Sequence, residues 1–269
     1  MVFCGLIFSL FFCHSSSIYT RGLTLISVVI PAKNEQANIG LLVEEIYLAL
    51  NNLAPFEVVL VDDGSSDDTF GELLRVGERL GCATRAIRHE QSTGQSTAIY
   101  TGVQHARGGL IVTMDADGQN DPADIPAMLA LVKTMKNPDY CITGFRQKRK
   151  DTAWVRFQSR VANKIRDALL HDGVPDTGCG LKLFPKATFL KLPYFDHMHR
   201  YLPALIRRMG GEIEVVVVNH RERLEGVSKY TAWNRVWVGI VDICGVMWLN
   251  RRAHLPKITK TETTDANKG

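Results

Sequence analysis

Asp115, Asp117 and Asp121 fall within seven residues in IVTMDADGQNDP (Ile111 to Pro122), directly after a run of apolar side chains. Carboxylates left unpaired at a buried strand end are costly, so they require a positive partner. That partner is an Arg or Lys, a helix N-terminus or a metal ion. Asp115 and Asp117 are two apart, and in extended chain that spacing points both side chains the same way. No Lys is an obvious neighbour in the sequence. Oxygen-only ligands fit Mg2+ or Mn2+, and Gln119 adds a neutral oxygen to the set. Such an ion keeps positions open for phosphate oxygens and neutralises a nucleotide diphosphate as it leaves. An Asp-x-Asp pair alone is common by chance, so its weight depends on the elements that carry it.

Those elements alternate. Leu25 to Ile30 (LISVVI) is continuously apolar and β-branched, the pattern of a buried strand in a parallel sheet, and Pro31 closes it. From Asn38 the period becomes helical, with Ile39, Leu42, Val43, Ile46 and Leu50 on one stripe. A second strand, Phe56 to Val61, is closed by DDGSSDDT, where Asp67 or Asp68 is placed to cap the next helix. Ala83 to Arg88 reads as a strand, Ser96 to Ala106 as a helix and Leu110 to Met114 as the central strand. A helix over Asp124 to Met135 and a strand over Tyr140 to Thr143 follow. This rhythm predicts an α/β fold with a mainly parallel sheet and helices on both faces. After Phe145 the pattern changes. A long helix from Trp154 to Leu170, a Gly-rich DTGCG turn, a short LKLF strand, a late strand over Glu214 to Val218 and a helix over Trp233 to Asn250 are expected.

In such sheets ligands bind beyond the carboxyl ends of the strands. Three strand ends here are polar: PAKNE (Pro31 to Glu35), DDGSSDD (Asp62 to Asp68) and DADGQ (Asp115 to Gln119). Loop and cap chemistry explains any one of them, but three on one edge make a site. No glycine lies between Pro31 and Asn38, which excludes a GxGxxG dinucleotide turn after the first strand. The acidic end of the second strand instead offers acceptors to a ribose or base. The six cysteines form no CxxC pair, so neither zinc spacing nor a disulfide framework is visible, and they read as reduced core thiols. Net charge is +4, too mild to imply nucleic acid. It is uneven, however: Arg146 to Arg166 holds eight basic residues and one acid, a patch suited to phosphate or a membrane surface.

PAKNE, VDDGSSDDT, STGQSTA (Ser92 to Ala98) and MDADGQ, in that order, resemble the nucleotide-sugar domain of family 2 glycosyltransferases, with the GT-A fold. GFR (Gly144 to Arg146), SRVAN (Ser159 to Asn163), DTGCGLKLF (Asp176 to Phe184) and RLEGVSKY (Arg223 to Tyr230) resemble the dolichol-phosphate mannose synthase group and its bacterial polyprenyl-phosphate relatives. The resemblance spans roughly Leu25 to Leu249. It implies that Pro31, Lys33, Glu35, Val61, Asp62 and Asp63 line the nucleotide pocket. Asp115, Ala116, Asp117 and Gln119 would hold metal and donor diphosphate. Arg146, Arg156 and Ser159 would hold the lipid phosphate, with Arg160 as an alternative to Arg156. Arg223 and Lys229 would clamp phosphates from the late loop, Arg223 with a catalytic share beside Asp115 and Asp117. Lys33 replaces an aromatic residue often seen at that place, which leaves GDP and UDP donors both open. FDHMHRYLPAL also departs from the pattern. His197 and His199, two apart on a predicted helix, do not share a face, so they read as interfacial or capping residues. Arg200 is a further phosphate candidate.

A phosphate acceptor suits this residue set. A sugar hydroxyl needs a general base, whereas a phosphate monoester with a second pKa of ~6 is largely dianionic and needs only fixed cations to position it. The competing acceptor is a hydroxyl of a glycan or lipid in cell-envelope synthesis, with a base near Asp196. A third reading is a membrane-surface partner on a decayed transferase fold, against which the intact Asp-x-Asp-x-Gln speaks. The expected partners are therefore a nucleotide-sugar, a polyprenyl phosphate and the membrane surface, with no nucleic acid.

Val236 to Leu249 is fourteen residues with Asp242 in the middle, too short and too charged for a span. Trp233, Trp237, Val241, Cys244 and Trp248 share one stripe, with Arg235 and Asp242 opposite and Arg251 and Arg252 at the end. That pattern predicts an interfacial helix over 232–252; a core-packing helix is the alternative. It would place the enzyme peripherally on the cytoplasmic membrane face. Residues 1–22 are apolar for about a dozen positions but lack a basic start. They read as a membrane-contacting extension or as sequence ahead of the true start. The domain is expected over 23–231, and 253–269 as a polar tail.

Overall fold

The structure is a computed structural model that describes residues 24–147, 166–221 and 232–252, with side chains in the last segment described from residue 238. Seven strands form one sheet in the order β3-β2-β1-β4-β6-β5-β7. They are β1 (Ile26–Ala32), β2 (Phe56–Asp62), β3 (Ala83–Arg88), β4 (Leu110–Thr113), β5 (Tyr140–Phe145), β6 (Lys182–Pro185) and β7 (Glu212–Val217). The β3-β2-β1-β4 half is wholly parallel, linked by the helices α1 (Gln36–Leu50), α2 (Thr69–Leu80) and α3 (Gln95–His105). The carboxyl ends of β1, β2 and β4 therefore open on one edge. Strand β6, the LKLF segment, runs antiparallel to both β4 and β5.

Alternation along each strand divides the core between two faces. Val28, Ile30, Val58, Leu60 and Val112 pack with Ile39, Leu42, Val43, Ile46 and Leu50, the whole predicted stripe of α1, and with Leu73 and Val76 of α2. Val29, Val59 and Ile111 point the other way, onto Ile99 and Val103 of α3, Phe184 and the later helical segments. Asp68 caps α2 by accepting from the Gly71 amide, and Gly81 closes it in the left-handed conformation. The expected helix over Asp124 to Met135 is a 3-10 turn, Pro122–Asp124, continuing into α4 (Ile125–Val132).

Two expectations need correction. Pro31 does not close β1, which continues to Ala32. Ala32 O accepts from Asp63 on the β2 side and Val29 O from Met114 on the β4 side, so Pro31 faces the β4 side. There β4 has already ended, its register with β1 stopping at Val29 and Thr113. A residue without an N–H costs nothing at that place. The FDHMHR stretch is also not helical. His197 sits in the left-handed region at φ 62°, a 3-10 turn spans Met198–Arg200, and the helix begins only at Leu202, with Pro203 in its first turn.

Candidate functional site

The first two polar strand ends are sewn together. Asn34 N–H donates to Ser65 Oγ at 2.9 Å, and Asn34 Oδ1 accepts from the Ser66 amide at 2.8 Å. Gln36 N–H donates to Asp67 at 3.2 Å, and the Asp68 amide donates to Gln36 Oε1 at 3.0 Å. Glu35 N–H meets Thr69 Oγ1 at 2.9 Å, while its carboxylate accepts from Asn38 Nδ2 at 2.7 Å. Pro31, Lys33 and Glu35 thus stand on a fixed ledge beside Val61, Asp62 and Asp63, and Lys33 is exposed.

Both aspartates after β2 are occupied by protein donors. Asp62 accepts from the Ser65 amide at 2.8 Å and from Arg88 Nε at 2.6 Å. Asp63 accepts from the Thr93 and Gly94 amides at 2.8 and 2.9 Å, from Ser92 Oγ at 2.7 Å and from Thr93 Oγ1 at 3.1 Å. His89 Nδ1 lies 2.9 Å away. Burial works against the Asp63 charge, but the bonds from Thr93, His89, Ser92 and Gly94 outweigh it and hold the carboxyl well below the ordinary range. Asp63 folds the STG loop around itself, and both aspartates already accept from protein donors.

β4 ends at Thr113 and a turn begins at Ala116, so Asp115 stands just before it, Asp117 lies in it, and the two do not share one extended strand. Gly118 provides the left-handed step at φ 74°. The Asp115 amide donates to Asn120 Oδ1 at 2.9 Å, and Asp117 Oδ1 accepts from the Gln119 amide at 3.1 Å. The Asp115 carboxylate receives Gln95 Nε2 at 2.7 Å, from the first turn of α3. Its other flank lies against Gly180 of DTGCG, where a Cβ would overlap the carboxylate. Burial first, and then the charge of Asp117, push the Asp115 carboxyl up to about 6, although Lys182, Arg146 and the Gln95 bond oppose the rise.

Cations do stand close to this turn, among them a Lys that was not an obvious neighbour in the sequence. Lys182 is buried, and its ammonium donates to the carbonyl oxygens of Cys179 and, at 3.4 Å, Thr177. Arg146, expected on the acceptor phosphate, is held bidentately by Asp176, with Nε at 2.7 Å and Nη2 at 2.9 Å. Asp121 belongs elsewhere: it caps Ala123 and pairs with Arg221 at 2.7 Å, and Arg221 also grips Glu45 of α1 at 2.7 Å. Arg156, Arg160, Ser159, Arg223 and Lys229 lie outside the described residues. Gln95, Asp176 and Lys182 escaped the sequence reading, because each meets the site from a distant segment. The quoted STGQSTA and DTGCGLKLF motifs were their only sequence signal.

Asp115, Asp117 and Gln119 offer two carboxylates and an amide oxygen within one turn. Among the described residues no group of three His, Cys, Asp or Glu side chains is placed to hold a metal alone. Two carboxylates with room for phosphate oxygens fit Mg2+ or Mn2+, which rarely occupy all-protein cages.

The matched family is glycosyl transferase family 2, over residues 27–192. The dodecaprenyl-phosphate galacturonate synthase of Rhizobium johnstonii is 34% identical over 84% of this chain and 67% of its own length. The undecaprenyl-phosphate 4-deoxy-4-formamido-L-arabinose transferase of Pseudomonas paraeruginosa is 34% identical over 77% of this chain and 61% of its own. The chain belongs to glycosyltransferase family 2. It spans about two thirds or less of the length of these curated relatives. Among solved structures, glucosyl-3-phosphoglycerate synthase of Mycobacterium tuberculosis with Mg2+ and UDP superposes with a TM-score of 0.63 at 20% identity, covering 82% of this chain and 80% of that one. The likeness shows the expected GT-A fold.

From residue 238 on, where its side chains are described, the last helix (Ala232–Arg251) packs inward on one face and is exposed on the other. Val246 is buried, with Ile243, Met247 and Leu249 packed beside it. Asp242 turns inward to His197 Nδ1 at 3.2 Å. Val241 and Trp248 are 67% and 59% exposed, with Cys244 on the same side, which corrects the reading of every cysteine as a core thiol. Among the described residues no helix is long and apolar enough to cross a membrane.

Proposed function

We propose that this chain transfers one sugar from a GDP- or UDP-linked donor to a polyprenyl phosphate, by a single displacement that inverts the anomeric centre. The observation that carries the reading is the junction beyond β4, where the acidic pair Asp115 and Asp117 lies beside the Arg146–Asp176 pair and Lys182. Negative charge for a cation–diphosphate group and positive charge for a second phosphate stand side by side. The relatives named for dodecaprenyl- and undecaprenyl-phosphate acceptors support the acceptor class.

The nucleotide lies on the ledge of Pro31, Lys33, Glu35 and Val61 and against the loop gathered by Asp63. Asp115, Asp117 and Gln119 would hold Mg2+ or Mn2+, which when bound supplies positive charge to the departing diphosphate. Arg146, anchored by Asp176, would present its remaining edge to the acceptor phosphate, with Arg156, Arg223 and Lys229 and the Ser159 hydroxyl as the further phosphate ligands that the family resemblance implies. A planar guanidinium fixes a phosphate bidentately, which brings two anionic groups to reacting distance. The acceptor dianion attacks without a base. The bare stripe of Val241, Cys244 and Trp248, followed by exposed Arg251 and Arg252, rests on the cytoplasmic membrane face where the lipid acceptor resides.

The test is a panel of UDP- and GDP-sugars offered with undecaprenyl phosphate and Mg2+, with mass analysis of the lipid. One donor is expected to yield a glycosyl-phosphate lipid, and no such product with any donor overturns the reading. A second reading rests on Asp196, whose carboxylate is exposed and close to Gly94. It would serve as base for a hydroxyl acceptor. Severe loss of turnover in Asp196→Asn with intact donor binding would favour it.

A further inference from the structure

Gln95 stands between the two aspartates that the proposed reaction uses differently. Six consecutive residues, Ser92 to Thr97, each commit a polar atom, and together they reach four separate partners. Ser92, Thr93 and Gly94 bind the Asp63 carboxylate. Gln95 reaches the Asp115 carboxylate at 2.7 Å. Ser96 Oγ is 2.7 Å from His199 Nδ1, and Thr97 Oγ1 is 2.7 Å from Tyr194 OH. Burial, ahead of the charges of Lys182, Arg200 and His197, holds the His199 imidazole well below its ordinary range, so it meets Ser96 as a neutral ring. Gly94 makes the bend between the Asp63 loop and α3 at φ 97°, a conformation other residues resist. The segment is therefore tied along its length, to Asp63 at one end and to Asp115 through Gln95 a residue further on.

We propose that Gln95 is a positioning residue that carries nucleotide occupancy beside Asp63 to the orientation of Asp115, and so sets how strongly a divalent ion and a nucleoside diphosphate promote each other's binding. The inference rests on the metal-assisted reading above. The residue type fits. A neutral amide donor fixes one carboxylate oxygen and leaves the full negative charge for a cation, whereas a Lys here would itself neutralise Asp115. The first turn of α3 adds its positive end to the same carboxylate without consuming its charge. Coupling of this kind is reciprocal: whatever nucleotide gains from metal, metal gains from nucleotide.

The experiment measures UDP and GDP affinity by calorimetry, with and without Mn2+, in the wild type, Gln95→Ala and Thr97→Ala. The wild type is expected to bind its preferred diphosphate at least about tenfold more tightly with Mn2+. In Gln95→Ala the metal-free affinity should stay within about twofold while the Mn2+ gain falls several-fold. Thr97→Ala, which loosens the same helix but keeps the bond to Asp115, should retain the gain. An undiminished gain in Gln95→Ala overturns the inference and leaves the functional reading standing. Equal loss in Thr97→Ala also overturns it, since any loosening of α3 would then suffice. A wild type with no Mn2+ gain overturns the metal-assisted reading itself and the inference with it.

Discussion

Asp63 and Asp115 follow strands that flank β1 on either side, yet they are opposites. Asp63 has every oxygen bonded and its carboxyl held low. Asp115 has, among the described residues, one side-chain donor, a like charge at Asp117 and a carboxyl raised to about 6. The same residue type at the same kind of strand end thus gathers a loop in one case and, in the proposed reading, serves a cation in the other. Acidity in a motif does not by itself announce a ligand; the donors that the fold delivers to it decide.

Breaking the Asp115 side of this contrast should have the largest effect. Asp117→Ala removes one of the two carboxylates proposed to hold the ion, which also accepts from the Gln119 amide. Turnover should fall by about 100-fold or more with little change in melting temperature. Unchanged activity across a Mg2+ titration would sink the metal role.

Breaking the Asp63 side should instead cost folding. Asp63→Ala strands several loop donors and should lower stability by about 3 kcal/mol in urea unfolding. Because the folded carboxyl lies below its unfolded value of ~3.9, its contribution is complete above that pH and drains away as pH falls through the folded value. The gap between wild type and Asp63→Ala should therefore narrow in unfolding curves taken at pH 3 compared with pH 7. A constant gap would mean that the bonds to Asp63 do not depend on its charge.

How much of this was legible beforehand follows the same division. The apolar stripe of α1 and the β-branched runs of β1, β2 and β4 are local patterns, and they mark the elements correctly. So does the order of the polar strand ends. What the sequence hid depends on contacts between distant segments. The antiparallel β6 brings Lys182 and Gly180 to Asp115, some sixty-five residues away, and α3 brings Gln95. Pro31 ended a strand on paper because its neighbour's shorter length was not visible. The donors to Asp63 were likewise invisible, since they come from the loop after β3.

Smaller changes sharpen the picture. Gly180→Ala should crowd the Asp115 carboxylate out of place, lowering turnover about tenfold for a stability loss of about 1 kcal/mol. An equal loss of metal-free nucleotide binding would show that the effect is not confined to Asp115. Val241→Glu with Trp248→Glu on the bare helix face should cut sedimentation with anionic vesicles several-fold and leave nucleotide affinity unchanged. Vesicle binding that survives both substitutions would remove that face from the membrane contact. The smallest effect is expected from Asp196→Asn, within about twofold in turnover, because a phosphate dianion needs no base.

The most direct measurement of the central claim compares two acceptors that differ in one group. Undecaprenyl phosphate and undecaprenol are supplied in turn, with the active nucleotide-sugar and Mg2+, and the lipid products are weighed by mass spectrometry. Transfer to a dianionic phosphate predicts a glycosyl-phosphate lipid from the first and none from the second. Glycosylated undecaprenol formed at a comparable rate would contradict it.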